Sequence, residues 1–144
     1  WAEENKLKVH HWFCSTDLSF YIQGGRISKA AGSFGQMLGI CPLLYVNAEG
    51  KLILKDKIRF KKRAFQSLVS KMEAHADGGS NYSGKCWISH SGCYEDALQA
   101  AELVNAKFPN LSAPVEIHDI GTIIGSHAGP GTIALFFWGT PRNA

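Results

Sequence analysis

The chain lacks most of the motifs that would announce a chemistry by themselves. None of its 144 residues falls in an apolar run approaching the roughly 18 residues of a membrane span. Its glycine-rich stretches, GGRISKAAGSFG and GSHAGPGT, match neither the P-loop spacing nor a Gly-x-Gly-x-x-Gly after a strand, which argues against nucleotide binding of those types. Gly-x-Ser-x-Gly is absent. Ser126-His127 and Ser89-His90 are sequence neighbours, whose side chains rarely face each other, so a triad would need distant partners. The four cysteines, Cys14, Cys41, Cys86 and Cys93, form no Cys-x-x-Cys pair, and three lie inside apolar segments. That usage suits reduced thiols in the cytoplasm better than a disulfide framework. The opening WAEENKLKVHHW has no apolar stretch of the secretory kind. It reads as the last turn of a helix entering a strand, so the chain is expected to be a piece of a longer protein.

What is present suits one domain, residues 1–144, able to bury a core: 45 % of residues are hydrophobic and 19 % charged. The net charge of +3 is unevenly spread. Residues 51–63, KLILKDKIRFKKR, hold seven of the fifteen Lys and Arg against one acid, Asp56. Basicity is therefore local and suggests a contact surface. Only Phe60 is aromatic in that run, so nucleic acid is a poor fit. The alternatives are a solvated outer face whose lysines guard a sheet edge, or a surface for an anion or a protein partner.

VHHWF reads as a strand. Asp17 suits the cap of a short helix that runs to Gln23 and stops at Gly24-Gly25. ISKAAGSFGQMLGI predicts a second helix stopped by Gly39. PLLYV-NAEG-KLILKDKIRF reads as a hairpin. Strict alternation along its second arm sets Lys55, Lys57, Arg59 and Lys61 on one face, with Leu54, Ile58 and Phe60 on the other. Helical spacing follows at Ala64, Phe65, Leu68, Val69 and Met72, and again at Ala97, Leu98, Ala101, Val104 and Phe108. KCWISH and APVEIHDIG are short strands. TIIGSHAGPG is a brief helical turn and a loop. TIALFFWG, apolar throughout, is a central strand covered on both faces. A hairpin combined with strands alternating with helices predicts an α+β fold, with a mostly antiparallel or mixed sheet covered by helices.

His10, His11 and Cys14 are weak metal ligands, because adjacent strand residues point to opposite faces; no metal site is expected. His127 carries more. Bare backbone in its glycine loop would offer N–H groups to an anion, and an imidazole adds a donor that switches near neutral pH. With the apolar strand beside it, the stretch fits the head of an amphipathic ligand. A histidine that tethers the loop to the core is the rival reading.

VHHWF, DLSFYIQGGRISKA, KIRFKKRA, ISHSG and IGSHAGPGTIALFFWG, in this order across essentially the whole chain, resemble the carboxy-terminal domain of the DegV family. The resemblance implies the second domain of a two-domain lipid-binding fold, with the amino-terminal α/β domain absent from this chain. It implies a long-chain fatty acid as ligand, no further cofactor and no catalysis by the chain itself. The carrier presents the carboxylate to a separate fatty acid kinase subunit, which makes the acyl phosphate with ATP. His127 and Arg26 fall on family positions at the head group and phosphotransfer. Arg59 falls on a position of kinase docking or phosphotransfer, and Gly25, Gly125, Gly129 and Gly131 belong to the supporting loops. The chain departs from the family pattern at Cys41 of Ile40-Cys41-Pro42, often a lysine, and at Lys61, often a second arginine, which keeps the charge but loses the bidentate fork. The competing class is an interaction or regulatory module that retains the fold. The face left uncovered by the absent domain is also a surface through which two copies can dimerise.

Overall fold

The computed structural model of the chain describes residues 1–28 and 39–142. Six strands form one mixed sheet: β1 (Val9–Cys14), β2 (Ile40–Val46), β3 (Leu52–Arg59), β4 (Cys86–His90), β5 (Glu116–Asp119) and β6 (Ile133–Trp138), in the spatial order β3-β2-β1-β6-β4-β5. Every neighbouring pair is antiparallel except β4 with β5. The α+β architecture therefore stands as expected, with β6 in mid-sheet between β1 and β4. The helix expected over ISKAAGSFGQMLGI falls mainly on residues 29–38, outside the described residues.

Strand alternation divides the core into two clusters, one on each face. On the first face lie Trp12, Cys14, Leu43, Ile88, Leu135 and Phe137, under α3 (Lys61–His75) and α4 (Tyr94–Lys107). The residues of α3 that bury, Ala64, Phe65, Leu68, Val69 and Met72, are the ones its spacing selects. Each large side chain among them contributes about 1.5–3 kcal/mol of burial. In α4, Ala97, Ala101 and Val104 are buried as its spacing selects, with Phe108 just past its end, but Ala100 is buried in place of Leu98, which is 37 % exposed. The small alanines let α4 approach the sheet closely, and Leu98 falls outside that contact.

The hairpin corrects a second expectation. Leu44 pairs with Leu54, but Leu43 pairs with Asp56, so Lys55 is an extra residue in β3. This bulge reverses the alternation partway along the strand. Leu52 and Leu54 join the second-face cluster, whereas Ile58 packs on the first. Lys55 is thereby separated from Lys57 and Arg59, which share the opposite face. Lys61 belongs to α3 and is held by Asp96 at 2.8 Å, so the four cations do not form one row.

Among the described residues the second face is thinly covered. Phe13, Leu44 and Ala134 meet Leu18, Tyr21, Ile27 and Ala128 there, under α2 (Ser19–Gln23) and α5 (Thr122–Ala128), helices of five and seven residues. Among the described residues the remaining helix, α1 (Ala2–Asn5), leads through a 3-10 turn, Lys6–Lys8, into β1. No helix among the described residues is long and apolar enough to cross a membrane.

Candidate functional site

Among the described residues, these two short helices leave part of the second face open as a cavity of about 430 Å³. Its floor is Phe13, Ala134 and Phe136 of the central strands, and its sides include Leu52 and Ile123. Arg26 and His127 both line it. Such a volume is within the range of about 300–1,000 Å³ for small-molecule sites.

Local chemistry at the end of α2 delivers Arg26. The N-cap of the helix is Leu18 and not the expected Asp17, which stands one residue earlier and whose Oδ1 accepts the Ser19 N–H at 2.9 Å. At its end, Gly25 donates to Ile22 O at 3.0 Å and Arg26 to Tyr21 O at 2.8 Å. This is a Schellman closure, and it requires the left-handed φ of +71° that Gly25 adopts without penalty. The Arg26 guanidinium then turns back onto the Gly24 carbonyl and is otherwise exposed.

His127 comes from α5. A Cβ placed on Gly24 would lie 2.5 Å from His127 Nδ1, and one on Gly129 would lie 2.5 Å from Phe20 Cδ2. The two helix ends thus interlock, each admitting a side chain of the other over a residue with none. His127 is half-buried in the last turn of α5. The backbone cradle expected in GSHAGPGT does not form. Gly125 lies within α5 and donates to Gly121 O, Gly129 donates to Gly125 O, and Gly131 donates to Ser91 O, each at 2.8 Å. The polar face of the cavity is made by side chains. Ser126 Oγ donates to Ile123 O at 2.8 Å and does not address His127.

Arg59 does not line the cavity; it ends β3, opposite Ile40. Its guanidinium carbon lies 5.6 Å from the ring centroid of Phe60, an exposed residue with φ of +73° that precedes α3.

Three polar residues of the cavity were not singled out for it by the sequence: His11, Tyr21 and Thr132. Alternation held the signal for His11, since it shares a face with Phe13. Burial, reinforced by Arg142 and His10, holds the His11 imidazole down to about 4, so it stays neutral. Burial pushes the Tyr21 phenol up to about 12, against the pull of its hydrogen bond to Thr132. Thr132 Oγ1 lies 3.2 Å from Tyr21 Oη, 3.1 Å from Ser15 Oγ and 3.0 Å from Ala128 O, so these buried hydroxyls satisfy one another. The site is then a mostly apolar chamber in which the His127 imidazole and the Arg26 guanidinium both lie beside Gly24. His10 and His11 face opposite sides of the sheet, and no group of three or more metal-ligating side chains occurs among the described residues.

A family model described as an uncharacterised protein of the DegV family matches residues 1–140. A DegV domain-containing protein of Clostridium perfringens is 39 % identical over 143 residues, 99 % of this chain and 48 % of its own length. One from Clostridium acetobutylicum is 37 % identical and 47 % covered. The chain spans about half the length of the curated relatives it matches. Among solved structures, a DegV family protein from Eubacterium eligens loaded with heptadecanoic acid superposes with a TM-score of 0.83 at 22 % identity, over 96 % of this chain and 48 % of that one. The fatty acid kinase B3 protein of Streptococcus pneumoniae, loaded with linoleic acid, gives 0.82 at 18 % identity, over 96 % and 47 %. A fatty acid binding DegV family protein from Streptococcus agalactiae gives 0.75 at 28 % identity, over 96 % and 47 %.

Proposed function

The chain belongs to the DegV family, and from that footing we propose that it forms one wall of a long-chain fatty acid site and presents the acyl carboxylate for phosphorylation by a separate kinase subunit. The observation that carries this reading is that Arg26 and His127 both line, beside Gly24, a chamber whose other lining is mostly apolar. Neighbours of the same fold carrying heptadecanoic and linoleic acids support it.

The energetics divide the labour. About fourteen methylenes at roughly 0.8 kcal/mol each contribute about 11 kcal/mol gross on burial. A hydrogen bond to the charged head adds about 1.5–3 kcal/mol. The tail sets affinity, while Arg26 and His127 set orientation and balance the charge that grows as carboxylate becomes acyl phosphate. Neutral His11 and the mutually bonded Tyr21 and Thr132 place no charge against the tail. Arg59, with Lys57 on the same sheet face, forms the contact surface for the kinase. The exposed Ile123 and Ile124, 77 % and 63 % accessible, close against the amino-terminal domain that completes the tunnel.

Organic extraction and mass spectrometry of the complete native protein test this reading. A stoichiometric long-chain fatty acid is the expected result. A protein isolated empty, and still empty after incubation with fatty acid, overturns it in favour of an interaction module.

A further inference from the structure

On the other face of the sheet, where α3 ends at His75, lies a second cavity of about 220 Å³. Lys55, Arg142, His10 and His75 line it beside the rings of Trp12 and Tyr45, and among the described residues no carboxylate is in its lining. No residue is shared with the acyl chamber.

The rings here are committed to one another. Trp12 stacks on Tyr45 at 4.9 Å and on His75 at 5.5 Å, and His75 stacks on His10 at 5.2 Å. A ligand therefore meets the cations. Arg142 spends its Nη atoms on neutral carbonyls: Nη1 on Val46 at 2.9 Å and Asn47 at 3.0 Å, Nη2 on Lys6 at 3.2 Å. Its Nε is buried with no hydrogen-bond partner among the described residues. The Lys71 ammonium stands 5.5 Å from the Trp12 ring centroid and adds charge.

These groups repel one another. Burial pushes the His75 imidazole down, and Lys71 and Lys55 push it further. His10 is pushed down by burial; its bond to Thr140 O opposes this, and His75 and Arg142 reinforce it. Asp77 is the one acid acting on His10 in the opposite sense. Like charges gathered around a cavity cost stability until an anion enters it. His10 Nε2 donates to Thr140 O at 2.7 Å, so Nδ1 is the nitrogen left to take up a proton when one does.

We propose that this second cavity binds a small oxyanion of the phosphate class among Lys55, Arg142, His10 and His75. Its volume suits a tetrahedral anion and falls below the range of about 300–1,000 Å³ for larger ligands. Inorganic phosphate and a phosphate monoester share the recognised chemistry. The site stands independently of the fatty acid reading.

The test is a titration of the complete protein at constant ionic strength, with inorganic phosphate in one arm and glycerol phosphate in the other, followed through the imidazole C2 protons in NMR. Saturable shifts of His10 and His75, with both protonation midpoints rising, are expected in at least one arm; the tighter arm identifies the source. Lys55→Gln weakens binding about tenfold, the worth of one charged hydrogen bond. Lys57→Gln, which removes the same charge from the opposite sheet face, leaves it unchanged. Absence of saturable shifts in both arms overturns the proposal, as does equal weakening by the two variants, since that is diffuse screening.

Discussion

His127 Nδ1 rests over Gly24, where an added methyl would stand 2.5 Å away. The neighbour that must give is a flexible ring, so Gly24→Ala is expected to fold, losing about 1–2 kcal/mol to crowding, while turning the imidazole out of its position. Carboxyl-labelled palmitate in the complete protein reports this by carbon-13 NMR. The expected result is a shifted carboxyl resonance with the tail retained; an unmoved resonance would place His127 away from the head group.

His127→Ala separates affinity from chemistry. Fatty acid still co-purifies, with affinity reduced about 10- to 100-fold, whereas acyl-phosphate formation with the partner kinase collapses. Turnover at the wild-type rate in a coupled assay would remove His127 from the reaction.

Arg59→Glu reverses charge outside the chamber. Fatty acid content is expected to stay at the wild-type level while association with the kinase weakens by about tenfold or more. Titration calorimetry with the kinase reads this directly, and intact binding would count against the basic surface as its dock.

Phe60 holds a φ of +73° that costs a side-chain residue about 1–3 kcal/mol, and its ring is 57 % exposed and buries little in return. Phe60→Gly is therefore expected to raise stability by about 1 kcal/mol in urea unfolding, after glycine's larger unfolded-state entropy is subtracted. A loss of stability would mean that the ring contributes more packing than its exposure implies.

Acid should destabilise the chain through its histidines. An unfolded His11 takes up a proton near pH 6.5, but the folded one resists until about 4. Its contribution is fully present above about pH 6.5 and is lost as pH falls toward 4, a change on the order of 3 kcal/mol. His10 and His75, also held low by burial, act in the same direction. Urea unfolding near pH 7 and about pH 4.5 measures the loss, and His11→Phe should flatten the profile by close to one proton. An unchanged profile would show that His11 is not shielded.

What the sequence made legible was local. The period of Ala64, Phe65, Leu68, Val69 and Met72 is written in five side chains, and α3 buries those five. The strands at VHHWF and IALFFW were readable because their apolar content tolerates no exposed alternative. The bulge at Lys55 was not readable, because it depends on which residue of β2 faces β3, a property of the pair. The GSHAGPGT stretch reads as loop by its glycines, yet Gly125-Ser126-His127-Ala128 closes α5, since packing against α2 outweighs an intrinsic penalty of about 1 kcal/mol per glycine. Arg26 and His127, 101 positions apart, were linked by family resemblance; their common cavity appears only once α2 and α5 are folded onto one sheet face.

The thin cover on that face has a consequence for the lifetime of the chain. Phe13 and Ala134 sit in the second hydrophobic cluster and also line the chamber, so among the described residues that cluster is a core left unfinished. On the proposed function, an acyl tail lodged there completes it. Occupancy and foldedness are then linked through RT ln(1 + [L]/Kd), about 2.7 kcal/mol at a ligand concentration of a hundred times Kd. On the proposed function, an emptied carrier is a softer protein than a filled one and is cut faster by proteases.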